Sequence, residues 1–235
     1  MEDLPISHCY LTYDEVLIKA QTIQPHFAAD LNRFATYNPW FTSTVNTQLL
    51  SGIYFSQKDF SENSLMAEIK GLTNVLDVKL ADARHCYEKL NYYVNKGLEN
   101  SAVSHEPFGY AGFQKARCSV KRMIPLLNQA IAAISYEGNE PKLLAAGMLH
   151  DLAIEMTNIA AELTATHEEL KILKKQHLIV TRERINLFNS MWDTLSKICE
   201  DAKIIFVNDT PHLAIYELFD IEDMDVDHDE PIEMK

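Results

Sequence analysis

Apolar residues recur along most of this chain at steps of three and four positions. The most regular run lies between Pro141 and His177, and its apolar members are Leu149, Leu152, Met156, Ile159, Leu163, Leu170 and Leu173. This spacing places side chains on one face of an α-helix. It predicts a helix of about 36 residues, roughly 54 Å long, around which the other helices pack.

The same spacing predicts helices on both sides of this run. Thr12 and Glu15 have the spacing of a capping box, so a helix should begin at Tyr13, bend at Pro25 and end before Pro39. The other predicted helices run from Thr42 to Phe55, from Glu62 to Leu98, from Phe113 to Ile134 with a kink at Pro125, from Ile185 to Phe206, and from Thr210 to about Phe219.

The junction after His177 allows two interpretations. No glycine or proline separates the two apolar runs there, so one uninterrupted helix of about 65 residues would fit. However, the second run is offset by about one residue from the first. The β-branched run Ile179-Val180-Thr181 also lies at the join, and Thr181 is a competent N-cap. The sequence therefore predicts a break between Leu178 and Thr181, with the chain folding back.

Together these elements predict an all-α protein. We expect an antiparallel, coiled-coil-like bundle of four to five long helices with short accessory helices, forming a single domain over residues 1–219. Residues 220–235 carry eight acidic side chains and one lysine. Such a composition cannot bury a core, so this acidic tail is predicted to be disordered.

Charge and cysteine usage exclude several classes of function. The formal net charge of −13 argues against nucleic acid as a partner, and anionic lipids would repel such a protein. The four cysteines are scattered without a CxxC pair, which fits reduced thiols in a cytosol. Neither a signal peptide nor a membrane-spanning run is visible, so we expect a cytoplasmic protein that binds no membrane.

Motifs for metal or cofactor chemistry are sparse. The dipeptide His150-Asp151 matches the adjacent ligands of metal-dependent phosphohydrolases, and Asp151, Glu155 and Glu162 follow one polar ridge that could bind Mg²⁺. A solvated helix face has the same pattern. No Glu-x-x-His motif of a di-iron bundle, no nucleophile elbow and no phosphate-binding loop occurs. No cofactor is therefore predicted, and His150, Asp151, Glu155 and Glu162 remain the only metal candidates.

Two segments indicate contact with a partner. Residues 34–57 contain no charged side chain but several aromatic ones, and Trp40, Phe41, Tyr54 and Phe55 are the candidates for a protein interface. Alternatively, these rings pack against the bundle. The second segment is a cationic cluster further along the chain that includes Lys171, Lys174 and Lys175. This cluster could attract the acidic tail or an anionic partner.

Three short segments together resemble a family of uncharacterised all-helical bacterial proteins of about this length. They are residues 89–94 (KLNYYV), 180–185 (VTRERI) and 203–206 (KIIF). The resemblance covers roughly residues 12–219 and implies a helix break near Thr181, where the family often has a preceding proline. This chain has Leu178-Ile179 instead. The resemblance implies no activity and no site.

The regular stripes and the absence of a convergent catalytic set favour a non-catalytic helical interaction or scaffold protein, which could bind a protein partner or form a homo-oligomer. The alternative is a phosphohydrolase-like, metal-dependent hydrolase that uses His150, Asp151 and the acidic ridge. Metal content would separate these two hypotheses.

Overall fold

The computed structural model describes residues 4–57, 62–98, 105–136 and 138–219. Across these ranges all regular structure is helical, with eight α-helices and no strand. The predicted all-α class is therefore confirmed. The acidic tail, residues 220–235, lies outside the described residues, and so does the prediction of its disorder.

The first three helices begin and end within two residues of their predicted bounds, whereas later ones differ more. The last predicted helix, for example, ends at Ile215 and not near Phe219. The eight helices are α1 Tyr13–Tyr37, α2 Ser43–Gln57, α3 Glu62–Gly97, α4 Phe113–Ala116, α5 Val120–Ile134, α6 Asn139–Ala145, α7 His150–Ile205 and α8 Thr210–Ile215, and two 3₁₀ turns lie at Glu106–Phe108 and Tyr110–Gly112.

Contacts between residues divide the chain into two compact units. The terminal unit combines residues 1–62 with residues 178–235, and the central unit comprises residues 63–177. Each unit has its own cluster of buried apolar side chains. The single domain over residues 1–219 therefore remains a prediction.

Aromatic rings dominate the core of the terminal unit. Phe34 lies at its centre, with ring centroids 5.1 Å from those of Phe27 and Phe41 and 5.4 Å from that of Tyr216. The predicted capping box starts α1, because the Thr12 hydroxyl accepts from the Glu15 N–H while the Thr12 N–H donates to Glu15 Oε2. The Thr12 hydroxyl also donates to Glu15 Oε2, and this hydrogen bond, followed by that of the Thr12 N–H, lowers the pKa of Glu15.

Aliphatic side chains dominate the core of the central unit, where α3 and α7 run antiparallel. Lys79 pairs with Glu162, and Lys89 lies 4.0 Å from Glu155. The Tyr87 ring stacks on Phe113 at 4.6 Å. Its buried hydroxyl donates to the carbonyl of Phe108 at 2.7 Å, which ties the first 3₁₀ turn to α3.

The helix predicted from Pro141 to His177 is interrupted at Gly147. The N–H of Met148 donates to the carbonyl of Leu143, and that of Gly147 to the carbonyl of Leu144. These two hydrogen bonds form a Schellman motif, which needs a left-handed residue that glycine supplies at φ +100°. Leu149 follows this break and is 69% exposed, so it does not belong to the apolar stripe as predicted.

The predicted break between Leu178 and Thr181 is wrong, because α7 continues from His150 to Ile205. Each β-branched residue costs a helix less than about 0.7 kcal/mol, and no glycine or proline interrupts this segment. The offset between the two apolar runs has another cause. Leu152 to Leu170 belong to one core and Phe188 to Phe206 to the other, and residues 171–187 between them bury no side chain.

Candidate functional site

Helix α2 presents an uncharged surface, and this surface is the best candidate for function. One side of the helix is buried through Val45, Leu49, Gly52 and Ile53. Its other side exposes Leu50, Tyr54 and Phe55, and the helix contains no charged residue. Tyr54 is 56% exposed, and its ring packs edge-on against Phe55 at 5.7 Å. Both rings are exposed and do not pack into the core, whereas their role as interface residues stays a prediction.

A groove of about 370 Å³ adjoins these rings, between α2 and residues 187–194 of α7. Gly52 sets its depth, because a Cβ at this position would lie 2.9 Å from Met191 Cγ. Among the described residues, those that line the groove are all uncharged: Thr44, Thr47, Gln48, Leu49, Ser51, Gly52, Phe55, Leu187, Ser190, Met191 and Thr194. We call this groove, together with the exposed side chains of Leu50, Tyr54 and Phe55, the uncharged face.

Hydroxyl groups give the groove a capacity for hydrogen bonding. The Thr47 hydroxyl donates to the carbonyl of Ser43, and the Thr194 hydroxyl donates to the carbonyl of Ser190, each at 2.9 Å. Because a hydroxyl oxygen also accepts hydrogen bonds, both side chains retain acceptors that a docked molecule could use.

The other two predicted aromatic candidates have different environments. Trp40 is partly exposed, with the ammonium group of Lys197 4.2 Å from its ring centroid. Phe41 is only 1% exposed and packs edge-on against Phe27 and Phe34. Phe41 is therefore a core residue and is not available to a partner, which corrects its assignment as an interface residue.

The predicted cationic cluster lies on exposed positions of α7. Lys171 is paired with Glu168 at 2.7 Å, and this hydrogen bond lowers the pKa of Glu168. Lys174 and Lys175 are also exposed. Their predicted contact with the acidic tail lies outside the described residues.

The four metal candidates do not converge. His150 Nδ1 lies 3.2 Å from Glu140, and Glu162 pairs with Lys79. Only Asp151 and Glu155 share a groove, of about 440 Å³, which Asp82, His85 and Cys86 also line. In the described part of the chain, no three histidine, cysteine, aspartate or glutamate side chains are placed to hold a metal ion.

Cys86 has an unusual environment in this acidic groove. Burial, followed by the hydrogen bond to Glu155 and its charge, raises the pKa of the Cys86 thiol to about 12. A thiol with so high a pKa stays protonated at neutral pH and is a poor nucleophile and a poor metal ligand.

Sequence reasoning missed the groove beside α2, although a signal for it exists. Thr44, Gln48, Ser51 and Phe55 recur at steps of four, three and four, so they form a second helical stripe beside the apolar one. Its small polar members do not register as an apolar pattern. The matching residues on α7 could be paired with them only once the packing of the two helices was known.

Among known proteins, the chain matches no family model, no curated protein and no solved structure. The resemblance to a family of uncharacterised bacterial proteins therefore stays a prediction. Of the helices in the described ranges, none is both long and apolar enough to cross a membrane.

Proposed function

We propose that the protein is a non-catalytic, cytoplasmic interaction protein that forms a homodimer through the uncharged face. The observation that carries this proposal is the exposure of Leu50, Tyr54 and Phe55 beside a groove that no charged residue of the described ranges lines. In this proposal the four to five long helices act as an antiparallel scaffold that holds the face rigid. The buried cores of interfaces are typically depleted of charge and enriched in aromatic residues.

The lack of charge on the uncharged face permits a second copy as the partner. Two chains with a formal net charge of −13 repel each other, and this repulsion is weakest where no charged side chain must be desolvated. The uncharged face meets that condition over α2 and at the four residues of α7 that line the groove, Leu187, Ser190, Met191 and Thr194.

The shape of the face also suits self-association. Tyr54 and Phe55 project from the same surface that contains the groove beside Gly52. A two-fold axis would place the rings of each copy in the groove of the other, which gives a closed, isologous dimer. The threonine and serine oxygens of the groove would then accept hydrogen bonds from the Tyr54 hydroxyl of the second copy.

Sedimentation velocity tests this proposal with two matched double variants. Leu50→Lys with Tyr54→Lys adds two charges to the uncharged face, whereas Val78→Lys with Tyr92→Lys adds two charges at exposed apolar positions of α3. We expect the wild type and the α3 variant to sediment at twice the monomer mass of 26.8 kDa, and the α2 variant at the monomer mass. The proposal is wrong if the wild type is monomeric at about 100 µM, where a dimer with a Kd of about 1 µM would predominate.

A metal-dependent hydrolase is the second candidate function, and the acidic groove favours it. Asp82 and His85 on α3 face the same space as Asp151 and Glu155 on α7. Metal analysis of untagged protein purified without chelator tests this candidate. A stoichiometric metal that is lost in Asp151→Asn but kept in the exposed control Glu169→Gln would support it. Wild-type protein without bound metal after incubation with Mn²⁺ or Zn²⁺ would exclude it.

A further inference from the structure

A large cavity lies in the central unit, apart from the uncharged face and the acidic groove. It is open to solvent, has a volume of about 1400 Å³ and is lined by the two 3₁₀ turns, α4 and the first half of α5. Cavities that take small organic molecules usually measure about 300–1,000 Å³, so this space is ample for one. We call it the His105 cavity.

His105 lines this cavity and lacks a polar partner. Its side chain is only 9% exposed, and Nε2 is buried without a hydrogen-bond partner in the part of the chain that the structure describes. A buried polar atom without a partner costs about 1–3 kcal/mol. The nearby Tyr110 ring, 6.0 Å away between centroids, offers only a tilted ring contact. A bound molecule with a polar atom would satisfy Nε2.

The turn that carries His105 is held in a defined position over α5. The Gln129 side chain donates to the carbonyls of Glu106 and Pro107, at 3.3 and 3.1 Å. Gly109 has φ +75°, and a Cβ there would lie 2.5 Å from Leu126 Cδ1. Only glycine therefore allows the turn to approach α5 so closely, and this approach shapes the cavity wall.

Positive charge collects at the rim of the cavity, in a protein that is strongly acidic overall. Lys115, Lys121 and Arg122 line it, against the single carboxylate of Glu106. Two of these cations lie in the first turn of α5, which contains no acidic residue and whose N-cap Ser119 makes no side-chain cap hydrogen bond. Cations at the positive end of a helix dipole are unfavourable by about 0.3–1 kcal/mol each. An anion bound there would offset that cost.

Apolar groups form the remaining wall, including Ala116, Pro125, Leu126 and the Tyr110 ring. We propose that the His105 cavity binds a small amphiphilic organic anion. Its apolar body packs against Tyr110 and Pro125, and its phosphate or carboxylate group binds His105 Nε2, Lys121, Arg122 and the N-terminus of α5. This proposal does not depend on the proposed dimer.

Displacement of a fluorescent probe tests the proposal on the full chain. The probe is 8-anilinonaphthalene-1-sulfonate, which combines aromatic rings with one negative charge. We expect one saturable site per chain, from which decyl phosphate or decanoate displaces the probe below its micelle concentration. Decanol, which has no charge, should compete at least about tenfold more weakly, or about 1.4 kcal/mol. The tighter of the two anions identifies the preferred head group.

Two matched double variants locate the site. Lys121→Gln with Arg122→Gln should weaken binding of the preferred anion at least about tenfold. Lys174→Gln with Lys175→Gln makes the same change in charge on α7 and should leave the affinity unchanged. Circular dichroism confirms that both variants fold. Equal weakening by both variants, or equal competition by decanol and decanoate, would overturn the proposal, since either result removes the specific anion contact.

His105→Phe supplies an independent measurement on the same cavity. Replacing a buried polar ring without a partner by an apolar ring of similar size should leave the unliganded protein as stable or more stable. It should nevertheless weaken binding of the preferred anion, because the polar contact to Nε2 is lost. Unchanged affinity together with reduced stability would show that His105 has a purely structural role and would contradict the proposal.

Discussion

The hydrophobic cores of the two units are built from different kinds of side chain. Seven aromatic residues belong to the described core of the terminal unit, and Phe34 alone contacts four of them. The core of the central unit contains three aromatic residues among many leucine, alanine and methionine side chains. Aromatic rings fill large, oriented spaces, whereas leucine and alanine allow α3, α5 and α7 to pack in regular rows.

The units also differ in how the chain builds them. The central unit is one continuous stretch, residues 63–177, whereas the terminal unit joins segments from both ends of the chain. His8, for example, lies 2.9 Å from Asp193. Because closing a long loop costs entropy before contacts form, we expect the central unit to fold first. A large aromatic cluster can offset this cost in the terminal unit.

The largest loss of stability is expected from a substitution in the aromatic core of the terminal unit. Phe34→Ala removes a fully buried ring that contacts Phe27, Phe41 and Tyr216, so it should lower the free energy of unfolding by about 3–5 kcal/mol. Urea denaturation followed by circular dichroism measures this change. Tyr136→Ala, at a ring that is 71% exposed, is the control and should stay within about 0.5 kcal/mol of the wild type. Equal losses in the two variants would contradict the assignment of Phe34 as the centre of this core.

Substitutions at two glycines of α3 test the close packing of the central unit. A Cβ at Gly97 would lie 2.8 Å from the Lys142 carbonyl oxygen and 2.9 Å from Ala146 Cβ, so Gly97→Ala should destabilise by about 1–3 kcal/mol. A Cβ at Gly71 would meet nothing within 4 Å. Gly71→Ala should therefore stabilise the protein by about 0.5–1 kcal/mol, since alanine favours the helix. The same sign for both changes in thermal unfolding would contradict this packing.

Each unit contains one buried tyrosine hydroxyl with a defined acceptor, which permits a direct comparison. Tyr87 donates to the Phe108 carbonyl in the central unit, and Tyr216 donates to the Asp30 carboxylate in the terminal unit. Tyr87→Phe should cost about 1 kcal/mol and Tyr216→Phe about 1.5–3 kcal/mol, because hydrogen bonds to charged groups are stronger. Urea midpoints of the two variants measure the difference. A larger loss of stability for Tyr87→Phe than for Tyr216→Phe would contradict this prediction.

The smallest effect on stability is expected from two buried thiols, one in each unit, and it appears only above neutral pH. Burial raises the pKa of Cys86 and of Cys199 to about 12, from an ordinary value near 9. Both thiols are protonated below pH 9 in the folded and the unfolded chain, so their contribution to stability is complete there. It is lost as the pH rises from about 9 towards 12, because only the unfolded chain then releases its protons.

Urea midpoints between pH 8 and pH 11 measure this loss. Cys199→Ala should flatten the decline, and Cys118→Ser, at an exposed thiol, should leave it unchanged. At pH 8, iodoacetamide should modify Cys118 in the native protein, whereas Cys86 and Cys199 should react only after unfolding. Rapid native modification of Cys199 would contradict its burial.

Local signals explain the parts of the fold that the sequence predicted. The capping box at Thr12 and Glu15 and the three-four spacing of α1, α2 and α3 act within a few residues, and these helices begin and end close to their predicted bounds. Gly147 was missed because apolar residues lie on both sides of it, so the apparent stripe runs on through the Schellman motif. A single glycine decided the local structure there.

Nonlocal packing explains most of the errors. The offset near Thr181 predicted a chain reversal, but it marks the point where α7 leaves one core and enters the other. Trp40 and Phe41 are adjacent in a loop without periodicity, so no pattern could distinguish the exposed ring from the buried one. The missing partner of His105 Nε2 depends on atoms distant in sequence and has no local signature.

The central claim is that one continuous helix, α7, serves both cores through a connecting stretch, residues 171–187, that buries no side chain. Backbone chemical shifts of residues 171–187, measured by NMR on deuterated protein, test it most directly. We predict helical Cα shifts through Leu178–Thr181, with amide exchange faster than in residues 152–170 and 188–202, because no side chain of the connecting stretch is fully buried. Random-coil shifts at Leu178–Thr181 would contradict the claim and restore the chain reversal.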